Sequence, residues 1–96
     1  MDSYTRADVA RAFAAEGLPL TAPFPPQGGT IVLVPQDSKL VGRFSVMVYP
    51  PSPVAKGIRV PVGHRVVEIK NVLIAYAPRG RPASAVRAAI ARLRRM

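Results

Sequence analysis

Arginines are the residues best equipped for chemistry in this 96-residue chain, and they crowd towards one end. "PRGRPAS" at 78–84 sets Arg79 and Arg81 just ahead of a segment with helical spacing. "ARLRRM" at 91–96 sets Arg92, Arg94 and Arg95 at the finish of that segment. A guanidinium is a planar fork of donors suited to phosphate and carboxylate. Residues 1–48 carry four bases and four acids, whereas residues 49–96 carry ten bases and a single acid, Glu68. The whole +9 net charge therefore comes from the second half, and an anionic partner is one reading of it.

Two kinds of anion contact are expected from these residues. The start of the final helix leaves backbone N–H groups without partners, and Pro82 has no N–H of its own. Arg79, Arg81 and Ser84 stand beside those groups, so that either they form an anion site, phosphate being the natural ligand, or both arginines lie in a flexible loop outside the helix and point to water. Arg87, Arg92, Arg94 and Arg95 lie opposite the apolar stripe of the same helix. They are either its solvated back or an electrostatic footprint on nucleic acid.

Catalytic chemistry is poorly supported. There is no Cys, which removes thiolates, disulfides and zinc–sulfur sites together. His64 is the sole histidine, and the five acids are scattered. "GGT" at 28–30 precedes a strand pattern, while phosphate-cradling glycine loops precede helices. No enzyme activity, catalytic residue, metal or cofactor is expected.

These side chains need elements to position them. Residues 5–16 read as a helix: Thr5 and Asp8 have capping-box spacing, Val9 and Phe13 share a face, and Gly17-Leu18-Pro19 is a stop. "LPLTAPFPPQGG" at 18–29 reads as a connector, its four prolines opposing any ladder. "TIVLV" at 30–34 and "GRFSVMVYP" at 42–50 read as a strand pair across a turn. Residues 50–63 read as irregular, with one turn of helix near 54–56 and a short edge strand near 58–60. "HRVVEIKNVLIAYAP" at 64–78 is too long for one strand and reads as a hairpin turning at Lys70-Asn71, with a bulge at Asn71 the alternative. Residues 82–96 read as a helix with Pro82 in its first position and Ala83, Val86, Ile90 and Leu93 on one stripe.

The expected fold is a single α+β domain over residues 1–96. It is a two-layer sandwich in the order helix, strand, strand, irregular segment, strand, strand, helix. The sheet is mainly antiparallel with three to five strands, and both terminal helices cover one face. Leu, Ile, Val and Phe number 27, enough for a folded core. The chain start lacks the apolar stretch of a signal peptide, and the longest wholly apolar run is "VLIAYA" at 72–77. A cytoplasmic protein with no membrane partner is the expectation.

The strands carry one more signal. A sheet covered on one side alternates apolar and polar residues, and these strands do not. Ile31, Leu33, Phe44, Val46, Val48, Val72, Ile74 and Tyr76 form the bulkier parity set and belong under the helices. Val32, Val34, Met47, Tyr49, Leu73 and Ala75 form the other, with no obvious cover. The favoured expectation is a non-enzymatic interaction or assembly domain that uses this second face, as a homodimer or with a protein partner. The alternatives are a nucleic-acid-binding accessory protein using the last helix, and an anion-binding protein using Arg79, Arg81 and Ser84.

Overall fold

The computed structural model describes residues 3–50 and 61–96. The turn and edge strand expected at 54–56 and 58–60 lie outside the described residues. Helix α1 spans Arg6–Ala14. The strands are β1 (Leu20–Thr21), β2 (Ile31–Pro35), β3 (Phe44–Val48), β4 (Arg65–Ile69) and β5 (Val72–Tyr76), and helix α2 spans Ala83–Arg94. The five strands form one sheet in the order β1-β2-β3-β5-β4, with every neighbour pair antiparallel. The fold is α+β, with a helix near each end of the chain.

Helix α1 begins on a reciprocal capping box: the Thr5 N–H donates to Asp8 Oδ2 at 2.9 Å, and the Asp8 N–H donates to Thr5 Oγ1 at 3.1 Å. It stops at Gly17, whose φ of +75° opens the left-handed turn. The Leu18 N–H then reaches the Phe13 carbonyl at 2.9 Å, and Leu18 is buried.

The proline-rich connector holds a correction. Leu20 and Thr21 pair with Pro35 and Val34, forming a fifth, two-residue strand where no ladder was expected. Pro19 and Pro23 flank the pair, and neither has an N–H to donate to a longer ladder. Instead the Gln36 N–H donates to the Pro19 carbonyl, and its side chain to the Leu20 carbonyl.

The hairpin at Lys70-Asn71 is present, with Ile69 opposite Val72 and Lys70 at a φ of +53°. Asn71 also fastens the chain across long distances. Its side chain accepts from the Tyr4 N–H at 2.7 Å and donates to the carbonyls of Tyr4 at 2.9 Å and Tyr49 at 2.8 Å.

One apolar cluster fills the space between helices and sheet. Val9, Ala12 and Phe13 of α1 and Val86, Ala89, Ile90 and Leu93 of α2 close over Leu33, Val46, Val72 and Ile74. Phe13 stacks on Phe44 with ring centroids 5.6 Å apart. Each such large side chain contributes about 1.5–3 kcal/mol through burial. The parity set expected under the helices belongs to this cluster, with Ile31 packed at its margin.

Candidate functional site

Helix α2 is built from alanine and β- or γ-branched residues on its inner side, which fixes where its charges point. Ala83, Val86, Ala89, Ile90 and Leu93 are buried. Arg87, Arg92, Arg94 and Arg95 are all exposed, as the helical phase requires. They are not equivalent. Arg92 reaches across the helical layer and donates to Glu16 Oε2 at the end of α1. Arg87, Arg94 and Arg95 show no carboxylate partner among the described residues.

Upstream of α2 the structure adds an arginine that sequence reasoning missed. Arg43, at the entry to β3, donates from Nε to the Arg81 carbonyl at 3.0 Å and from Nη2 to the Arg79 carbonyl. Gly80 sits between them with a φ of +74°, and a Cβ there would meet Arg43 Nη2 at 3.1 Å. The backbone of 79–81 is thus pinned, while the side chains of Arg79 and Arg81 stay exposed. Sequence offered no local cue to this clamp, because its partners lie 36 and 38 residues away.

The start of α2 differs from expectation in detail. Pro82 is the capping residue rather than the first helical one, it offers no side-chain cap, and its bond to Arg81 is cis. The Ala83 N–H is met by the Gly80 carbonyl at 3.0 Å. Ser84 and Ala85 line an open cleft of about 520 Å³ with Gly17, Leu18, Arg81 and Pro82. Glu16 and Asp37 line the same cleft, so an anion there would meet two carboxylates as well as the helix end. Arg79, Arg81 and Ser84 are close in the chain and all exposed, but Arg79 does not line this cleft.

A second, shallower cleft of about 280 Å³ runs between the helices. Ala12 and Ala15 line it together with Arg11, Arg92, Arg95 and Met96. The one acid within α1 is Asp8. The Thr5 backbone N–H holds its carboxyl below the ordinary carboxylate value, helped by the Thr5 hydroxyl and by Arg11. Asp8 is therefore committed to its cap.

The other sheet face carries the expected interface set. Val32, Met47, Leu73 and Glu68 line up in register across β2, β3, β5 and β4. Ser45, Ala75 and Val66 form the next row. None of Val32, Val34, Met47, Tyr49, Leu73 and Ala75 belongs to the helix-side cluster. Their exposure divides them. Tyr49, Leu73 and Ala75 are buried within the chain, whereas Val32, Val34 and Met47 are half-buried. The Tyr49 hydroxyl lies over Met47, 3.5 Å from its sulfur.

His64 Nε2 lies 3.2 Å from the Gly42 carbonyl oxygen, an acceptor, so that nitrogen carries the proton and ties the start of β4 to the turn before β3. Among the described residues there is no cluster of three or more His, Asp or Glu, no buried polar or charged residue, and no helix long and apolar enough to cross a membrane. Comparison of the chain with protein-family models, curated proteins and solved structures finds no match.

Proposed function

We propose that this protein is a non-catalytic accessory domain that binds nucleic acid through the outer side of α2. The observation that supports this best is the division of labour among the arginines. Glu16 engages Arg92 alone, while Arg87, Arg94 and Arg95 project from a helix whose opposite side is locked into the core. A row of unneutralised guanidiniums on a packed helix is what a phosphate backbone attracts, and its field also speeds encounter. The test is nucleic-acid binding by the wild type and by a variant with glutamate at these three positions. Binding lost with the fold intact supports the reading, and a wild type that binds nothing at low salt refutes it.

A second reading rests on the other face. Val32, Val34 and Met47 remain half-buried on the side away from the helices, and Val66 is 46% exposed on β4. Such a surface suits a two-fold homodimer or a protein partner. Under this reading the wild type sediments as a dimer at high micromolar concentration, and Met47→Lys gives a folded monomer. A wild-type monomer at that concentration would remove the homodimer.

A further inference from the structure

We infer that the ligand is the sugar–phosphate backbone of double-stranded nucleic acid, gripped without regard to base sequence by the guanidiniums of Arg87, Arg94 and Arg95. The inference rests on the nucleic-acid reading and narrows it.

Arg87 and Arg94 are seven residues apart, which returns the helix to within about 20° of the same direction and advances it about 10 Å. They therefore stand on one stripe. Ser84 and Ala91 fall on the same stripe, are exposed, and are too short to screen the arginines. Arg95, next to Arg94 and also exposed, adds a third cation at the end of α2.

What the row lacks decides the substrate class. Helix α2 contains no aromatic residue and no Asn, Gln, Asp or Glu. Among the described residues the large exposed apolar side chains are Phe24, Val41, Val62, Val66 and Met96, none of them within α2. Proteins that hold single strands stack bases on aromatic rings. Proteins that read bases commonly add amide or carboxylate side chains to their arginines for adenine and cytosine. Neither device is present on this helix. Closely spaced cations on a packed helix match instead the dense, rigid charge of a duplex, about one phosphate per 1.7 Å of axis.

The experiment is fluorescence anisotropy with two labelled 20-base-pair duplexes of unrelated sequence and a 20-nucleotide thymidine strand, at 50 and 200 mM NaCl. The expected result is equal affinity for the two duplexes within about two-fold, and weaker binding of the single strand. Three phosphate contacts predict a fall of roughly 40-fold in duplex affinity between the two salt concentrations. Arg87→Gln with Arg94→Gln should flatten that dependence to a fall of only a few-fold, with an unchanged melting curve as the check on folding. Tighter binding of the thymidine strand, or a preference above ten-fold for one duplex, overturns this inference and leaves the nucleic-acid reading standing. No binding of any of the three at 50 mM salt overturns both.

Discussion

Asn71 shows how a single residue holds this fold. Its side chain makes three hydrogen bonds to the backbones of Tyr4 and Tyr49, joining the segment before α1 to the end of β3 and the β4–β5 turn. Each such bond contributes about 0.5–1.5 kcal/mol, and partly buried backbone groups would be left unmet without it. Asn71→Ala should therefore cost about 2–4 kcal/mol and lower the melting temperature by at least about 8 °C in calorimetry. A shift under about 3 °C would mean that water replaces these bonds. Sequence placed Asn71 correctly in the turn and missed its larger task, because two of its three hydrogen bonds go to Tyr4, 67 residues away. Arg43 escaped notice for the same reason. Periodicity and capping patterns report on neighbours within a few residues, and both side chains act across the fold.

The elements were legible where their signals are local. Thr5, Asp8 and Gly17 mark the ends of α1, and the spacing of Val86, Ile90 and Leu93 sets the phase of α2 and hence the exposure of its arginines. The expectation that the bulkier parity set lies beneath the helices rested on residue size, and the core cluster has that composition. Strand β1 was illegible, since two residues between prolines carry no period and its ladder depends on β2. Equally invisible was the link between the helices, Glu16 to Arg92. That pair sits at the surface, so Glu16→Gln should change stability by less than about 1 kcal/mol. It should also release Arg92 and remove an opposing charge, so that nucleic-acid affinity rises a few-fold and its salt dependence steepens by about one contact. A fall in affinity, or a melting temperature lower by about 8 °C, would show that the pair organises the helical layer instead.

As a whole the molecule has two unlike sides. One is a helical layer that buries its apolar stripe against the sheet and turns its arginines outward. The other is the back of the sheet, with Tyr49, Leu73 and Ala75 already buried and Val32, Val34 and Met47 half-buried. Because these sides face opposite ways, the proposed nucleic-acid contact and the proposed self-association draw on different residues. Charge reversal on α2 separates them most directly. In Arg87→Glu, Arg94→Glu, Arg95→Glu the inner stripe is untouched, so the melting curve should stay within a few degrees of the wild type. Titrated against a duplex at 50 mM salt, the wild type should saturate and the variant should show no measurable binding, while both sediment with the same mass. Equal binding by the variant and the wild type would contradict the account and place the working surface elsewhere on the molecule.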